Sequence, residues 1–122
     1  MKIQIIKIKT GKQSPTIEEI ENDLESMQKI VGGYIECVNI PDTQIDLWIN
    51  EEGKINEMEQ NMLLLNNDKP YDIICGDVFF ASHDSHGNTT GLNEDHIEKI
   101  QQRLRVGLSK ETGETILALV MD

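Results

Sequence analysis

The stretch from residue 31 to residue 53 constrains the fold more than any other part of the chain. It reads Val-Gly-Gly-Tyr-Ile-Glu-Cys-Val-Asn-Ile-Pro-Asp-Thr-Gln-Ile-Asp-Leu-Trp-Ile-Asn-Glu-Glu-Gly. The glycine pair suits the end of a helix, and two alternating apolar runs follow it, separated by a Pro-Asp-Thr turn. The pattern predicts a helix end, an antiparallel pair of strands over 34–40 and 45–50, and a final glycine turn.

The segments before and after this stretch predict further strands and a helix. Alternation over residues 2–9 indicates a half-buried strand, followed by a loop over 11–15. A Thr-Ile-Glu-Glu capping box, continued by apolar residues at helical spacing, predicts a helix over 16–31. A long apolar run over 71–81 predicts one strand, with a bulge or bend at Gly76.

Residues 55–66 leave two interpretations open. Met58, Met62 and Leu65 have the spacing of a short helix, but they also suit an irregular loop laid over the core. Residues 83–88 are rich in turn-forming types and predict a hairpin loop, with a short edge strand after it.

The C-terminal part begins with a second helix. Asn93 is a favoured N-cap residue, Ile97 and Ile100 lie on the predicted buried face, and Gly107 is expected to end the helix. The tail, 108–122, ends in an apolar run that suits a final strand, a short helix or a docking segment.

Length and composition favour one α+β domain. The chain has 122 residues, of which 38% are hydrophobic and 27% charged, as in globular proteins of single-domain size. We expect residues 1–122 to form a single domain, with a mainly antiparallel sheet of about four to six strands packed against two helices. No segment has the form of a signal peptide or the length of a membrane span, so we expect no membrane association.

The two cysteines favour a cytoplasmic protein. Cys37 and Cys75 each lie in an apolar strand pattern, so we expect two buried thiols in a reducing compartment rather than a disulfide. Cys75 also suits a nucleophile with a histidine base, but its apolar neighbours favour an inert thiol.

The net charge of −11 argues against direct nucleic-acid binding, since so acidic a protein repels phosphates. The charge itself suggests a function, because acids on one surface could imitate duplex phosphates and occupy the basic cleft of a nucleic-acid enzyme. The alternative is that the acids serve solubility. The acids that suit mimicry are Glu18, Glu21 and Glu25 along the predicted helix, and Asp42, Asp46, Glu51 and Glu52 across turns.

Four polar residues are the candidates for a binding site: Asn50, Glu51, Glu52 and Asp77. They follow or interrupt predicted strands, and converging carboxylates suit acid–base work or a magnesium ion. The alternative is a set of solvated turns. No complete catalytic or cofactor motif occurs, so we expect no cofactor and no metal.

The loop over 83–88 carries the enzyme alternative. His83 and His86 are imidazoles three residues apart with an aspartate between them, which suits zinc or nickel. No cysteine pair or His-Glu-x-x-His pattern supports them, and the same residues suit a hairpin loop. A small metal-assisted hydrolase would use Asp77, Glu51 and this loop.

Five short pieces of the sequence carry a resemblance to a known family. They are the opening Met-Lys-Ile, Val-Gly-Gly-Tyr-Ile-Glu at 31–36, Asn-Glu-Glu-Gly-Lys at 50–54, Ile-Cys-Gly-Asp at 74–77 and Leu-Asn-Glu-Asp at 92–95. In these pieces the chain resembles an uncharacterised domain family of phages, plasmids and conjugative elements of Gram-positive bacteria. The resemblance implies a mobile-element origin and a small α+β fold, and it supplies no reaction.

One segment departs from the family pattern. After the Asn-Glu-Glu-Gly turn, members of that family tend to show a Leu-Pro-x-Asn-Arg-like segment, where this chain has Met-Glu-Gln-Asn-Met. The asparagine, Asn61, is kept, but Glu59 and Met62 replace the proline and the arginine. If that arginine binds an anion in relatives, this chain is not expected to do so.

The sequence therefore predicts a non-enzymatic protein-interaction or accessory protein of a mobile element, with a phosphate-mimicking inhibitor as one version. Its partner would be a protein. The metal-assisted hydrolase is one alternative. The other is a homo-oligomeric structural module in which the apolar run at 115–121 docks on a neighbouring subunit.

Overall fold

The computed structural model describes residues 1–11 and 14–122; Lys12 and Gln13, in the predicted loop over 11–15, lie outside the described residues. In chain order the elements are β1 Lys2–Ile8, β2 Thr16–Glu21, α1 Leu24–Val31, β3 Ile35–Asn39, β4 Ile45–Asn50, β5 Gln60–Asn66, β6 Lys69–Cys75, β7 Val78–His83, β8 Thr89–Thr90, α2 Glu94–Arg103, β9 Leu104–Leu108 and β10 Thr115–Val120. Neither helix is long and apolar enough to cross a membrane, over these same ranges.

The strands form two sheets rather than the single sheet predicted. The six-stranded sheet has the order β2-β1-β7-β4-β3, with β8 paired to β7, and every pair in it is antiparallel. The four-stranded sheet has the order β6-β5-β10-β9, in which only β5 and β10 run parallel. The mainly antiparallel α+β character is confirmed, and the number of sheets is corrected.

The main core lies between the two sheets. It joins their inner faces with helix α2, and its buried members are Ile6, Ile8, Ile40, Ile45, Leu47, Ile49, Met62, Leu64, Ile74, Val78, Phe80, Leu92, Ile100, Leu117, Leu119 and Met121. A second cluster lies under α1, on the other face of the six-stranded sheet: Ile3, Ile5, Met27, Val31, Phe79 and Ala81. The predicted packing of one sheet against two helices is therefore wrong in part, because a second sheet covers the inner face.

The unit predicted from residues 31–53 is confirmed. Helix α1 ends at Gly32, which takes the left-handed conformation with φ 78°, and β3 and β4 pair antiparallel. Leu47 lies in the main core, whereas Trp48 points to the opposite face and stacks on Phe79 with the ring centroids 6.3 Å apart. Strand β4 is therefore covered on both sides.

The helix predicted over 16–31 is wrong in its first part. Thr16–Glu21 is strand β2, paired along almost the whole length of β1. The helix begins only after Asp23, whose carboxylate accepts a hydrogen bond from the Ser26 N–H at 2.8 Å. Pairing with β2 gives hydrogen-bond partners to backbone groups of β1 that a helix over these residues would leave unpaired. These hydrogen bonds between distant residues outweigh the local preference for a helix.

The strand predicted over 71–81 is two strands in different sheets. β6 ends at Cys75, β7 begins at Val78, and the chain crosses between the sheets at Gly76, which has φ 92°. A Cβ at Gly76 would lie 2.9 Å from Met58 Sδ, so a side chain would not fit without a shift. The predicted bend is real, and it divides the apolar run between two sheets.

The remaining segments also become strands. Residues 60–66, whose sequence suits either a short helix or a loop, form β5. Helix α2 begins at the predicted Asn93 cap but ends earlier than expected, and Gly107 lies inside strand β9. The apolar tail forms β10, held between β5 and β9 of the same chain. The hairpin loop over 83–88 and its short return strand, β8, are confirmed.

Candidate functional site

Asn50, one of the predicted site residues, organises the turn after β4. Its buried Nδ2 donates to the C=O of Val31 at 3.0 Å, and its Oδ1 accepts from the N–H of Glu52 at 2.7 Å. A Cβ at Gly33 would lie 2.9 Å from Asn50 Nδ2, so the glycine leaves room for the amide. Both ends of the Asn50 side chain are therefore used to hold the helix end, the strand and the turn together.

Glu51 and Glu52 are exposed at the tip of that turn. Neither carboxylate takes part in any ion pair found within 1–11 and 14–122. The turn backbone is fixed: the Glu51 N–H donates to the Tyr34 C=O at 2.9 Å, and a Cβ at Gly53 would lie 2.5 Å from the Cys75 carbonyl oxygen. Two unpaired carboxylates thus stand on a well-supported turn.

Lys54 connects the same turn to the four-stranded sheet through an ion pair with Asp72 on β6. The hydrogen bond from Lys54 lowers the pKa of the Asp72 carboxyl, and the bond to Asp72 raises the pKa of Lys54. Because both groups face solvent, the pair contributes little to stability. It marks the place where the turn meets β6.

Asp77 is engaged with another part of the chain. Its Oδ1 accepts a hydrogen bond from the Thr10 N–H at 2.9 Å, just after β1. Asn50 does approach the neighbouring crossover, since a Cβ at Gly76 would lie 4.0 Å from the Asn50 Cβ. The structure therefore groups the three site residues of the β4 turn and gives the Asp77 carboxylate a separate structural partner.

Asn61, the asparagine kept in the family-like segment, ties the two sheets together. Its buried Nδ2 donates to the C=O of Ile8 at 3.0 Å and to the C=O of Gly76 at 2.9 Å. Met62, at the position of the family's arginine, is 2% exposed in the core, so this position presents no group to solvent. In the sequence, only the family-like segment drew attention to Asn61.

The outer face of the four-stranded sheet is apolar, and no helix or strand of the described residues packs on it. Side chains alternate along each strand, and the residues between the core positions of β5, β6 and β10 point outwards. These residues form the open face: Leu63, Leu65, Tyr71, Ile73, Ile116, Ala118 and Val120. None belongs to either apolar cluster, so neither helix covers them. Tyr71 is 56% exposed and Ile73 is 36% exposed, whereas Ala118 on the inner strand β10 is 8% exposed and the other four residues are half-buried.

A groove of about 850 Å³ lies where the open face meets the segment after β4. Leu63, Tyr71 and Ile73 make its apolar floor, and Glu57 and Asp72 lie on its rim. An adjoining groove of about 300 Å³ carries two further carboxylates, one from β3 and one from the β4 turn. An apolar floor with an acidic rim suits an apolar side chain flanked by basic groups. The sequence did not reveal this surface, because it depends on the unforeseen second sheet.

The histidines of the metal hypothesis have separate partners. His83 Nδ1 lies 2.7 Å from Asp46 Oδ2, whereas His86 sits in a turn whose backbone is held by the Asp84 carboxylate. His96 belongs to the α2 capping box; burial lowers its pKa, and its Nδ1 accepts from the Asn93 N–H at 3.1 Å. Across 1–11 and 14–122, no three His, Cys, Asp or Glu side chains form a group that could hold a metal ion.

Both cysteines are free, but the prediction of two buried thiols is wrong for Cys37, which is exposed. Partial desolvation of the thiol, and then the nearby Asp46 carboxylate, raise the pKa of Cys37 to about 11. The thiol is therefore protonated at neutral pH and is a poor nucleophile. Cys75 is half-buried and lines the larger groove.

The chain was compared with protein families, curated proteins and solved structures. A family model described as a domain of unknown function, DUF3846, matches residues 1–105. No curated protein and no solved structure matches the chain.

Proposed function

We propose that this chain, which belongs to the DUF3846 family of domains of unknown function, is a cytoplasmic accessory protein that binds a basic protein partner through the open face. The observation that carries the proposal is an apolar sheet face on which no helix or strand packs, over residues 1–11 and 14–122. Apolar patches of this kind, rimmed by polar groups, mark protein interfaces. The two free cysteines support the cytoplasmic location, and the resemblance supports an origin on a mobile element.

The charge of the chain indicates the chemistry of the partner. The net charge is −11, and the rims of the two grooves carry Glu36, Glu51, Glu57 and Asp72. Lys54, the one cation among the described lining residues of both grooves, is already paired with Asp72. A partner that presents apolar side chains between lysines or arginines complements both the floor and the rim.

The geometry gives less support to phosphate mimicry. Glu18 and Glu21 lie on strand β2 and only Glu25 lies on α1, so the three do not follow one helix face. Their carboxylates lie 3.2–3.8 Å from positively charged nitrogens, and Asp46 is buried at 5% exposure. The unpaired acids at the groove rim act instead by drawing a basic partner towards the open face.

The proposal is tested by capturing the partner from a lysate of the cells that carry the gene. Three proteins serve as bait: wild type, Ile73→Glu and Ile17→Glu. Ile73 lies on the open face, and Ile17 is an exposed isoleucine on β2 of the other sheet, so both variants add the same charge to a surface position. We expect a partner that wild type and Ile17→Glu retain, that Ile73→Glu loses, and that salt releases.

Circular dichroism and thermal unfolding of the two variants show whether each is folded. If a partner binds all three folded proteins equally, the open face is not the interface. If wild type retains no partner even at low salt, the proposed function is wrong.

A further inference from the structure

The edge strand β9 differs from the other sheet edges. Strands β2, β3 and β6 all carry acidic side chains, and β6 also contains Pro70, and such residues discourage pairing with another strand. Strand β9 reads Leu-Arg-Val-Gly-Leu, with no acid and no proline. Its Val106 and Leu108 are 67% and 71% exposed. Arg105 is the one charged residue of this short edge, which otherwise presents apolar side chains and no acid.

The backbone of β9 turns alternate N–H and C=O groups away from β10. The Ser109 N–H donates to the Glu114 C=O at 2.8 Å, and hydrogen-bonded pairs alternate along an antiparallel ladder. The register then directs the backbone groups of Gly107 towards β10 and turns those of Val106 and Leu108 outwards. The same alternation turns the Leu104 C=O outwards, where it accepts from Arg105 Nη1 at 3.1 Å and keeps a second lone pair for another donor. The Leu104 N–H is already used in capping α2.

We propose that β9 pairs antiparallel with β9 of a second copy of this chain, about a twofold axis at Val106. The strand is self-complementary in this register. Val106 faces Val106 of the second copy, each Leu104 faces a Leu108, and each Arg105 faces a Gly107. The apolar pairs share one side of the joined sheet, and each arginine lies opposite a residue that leaves it room.

This pairing forms about four backbone hydrogen bonds, since the outward N–H groups of Val106 and Leu108 each find a carbonyl of the second copy. It joins the two four-stranded sheets into one continuous sheet and sets the two open faces side by side. The paired strands are short and cover less than the ~800 Å² per partner of a standard interface, so the dimer is weak. Each copy carries a charge of −11, and salt therefore strengthens the dimer.

Sedimentation velocity over a range of protein concentrations, at low and high salt, tests the dimer. Val106→Pro removes an N–H that points away from β10, and edge strands tolerate proline at such positions. Val106→Lys places two like charges opposite each other on the axis, and Ile17→Lys adds the same charge to an exposed isoleucine elsewhere. We expect both Val106 variants to weaken the dimer about 10-fold or more, and Ile17→Lys to leave it unchanged.

A wild type that stays monomeric at the highest concentration and salt overturns the proposal, and so does a folded Val106 variant that dimerises like wild type. The dimer and the proposed function fail separately. Ile73→Glu should lose the basic partner and still dimerise, and salt should act in opposite directions on the two associations.

Discussion

The two sheets of this protein differ in what covers them. The six-stranded sheet has α1 on one face and the four-stranded sheet on the other, so strands such as β4 and β7 are buried on both sides. Among the described residues only the inner face of the four-stranded sheet is covered, and its edge strand β9 exposes Val106 and Leu108 and carries no acid. The difference fits a division of roles in which the six-stranded sheet stabilises the fold and the four-stranded sheet is the one that we propose for binding.

The largest expected effect compares a side chain from each sheet. Phe80 is fully buried in the six-stranded sheet, whereas Ile73 is on the open face. Phe80→Ala should lower the free energy of unfolding by about 3–5 kcal/mol, and Ile73→Ala by less than about 1 kcal/mol. Urea unfolding of both variants measures the difference. Equal losses would mean that the open face is packed against something.

The reactivity of Cys37 tests how the six-stranded sheet affects a thiol. Cys37 belongs to the six-stranded sheet, where desolvation and Asp46 raise the pKa of its thiol to about 11. In a Cys75→Ser variant at about pH 8, Cys37 should alkylate about 100-fold more slowly in the folded chain than in urea. Mass spectrometry follows the rate.

Asp46→Asn should recover part of that rate, because it removes the nearby charge but not the desolvation. If Cys37 reacts equally fast in the folded and unfolded chains, the fold does not raise the pKa of this exposed thiol.

The crossover between the sheets provides the next test. Gly76 has φ 92° and little room for a Cβ beside Met58, so Gly76→Ala should cost about 1–3 kcal/mol of stability. Gly107 on β9 has open space around it, so Gly107→Ala should change stability by no more than about 1 kcal/mol in either direction. Chemical unfolding of both variants decides whether the crossover is the constrained position.

The smallest effect concerns the ion pair between Lys54 and Asp72. Lys54 lowers the pKa of Asp72, so the carboxyl is more acidic in the folded chain than in the unfolded chain. The stabilisation is therefore complete above the ordinary carboxyl pKa and is lost as pH falls through the lowered value. Asp72→Asn should remove this small loss of stability at acid pH, which urea unfolding at a series of pH values measures. If the Asp72→Asn variant still loses stability at acid pH as wild type does, other carboxyl groups cause that loss.

The local parts of the fold could be predicted, and the long-range parts could not. The β3–β4 pair and the Asn93 cap depend on residues close together in sequence, and both were found where expected. Residues 16–21 and 60–66 carry helical spacing, but distant partners decide their structure: β1 for the first, and β10 in parallel for the second. Local periodicity contains no information about those partners.

The candidate site divides in the same way. The turn at Asn50 is predicted as a binding surface. The structure shows that its asparagine is internal and that Glu51 and Glu52 form no ion pair among the described residues. The open face was not foreseen, because it appears only once 71–81 is divided between two sheets at Gly76. Its residues come from the consecutive strands β5 and β6 and from β10, which lies near the end of the sequence.

The central claim is that the chain binds its partner with the open face, and an NMR titration of the isotope-labelled protein with the captured partner tests it most directly. The amide and methyl signals of Leu63, Ile73 and Val120 should shift as the partner is added, while those of Ile17 on β2 stay in place. Shifts confined to β2, β3 or the Glu51–Glu52 tip, with the open face unchanged, would contradict the claim.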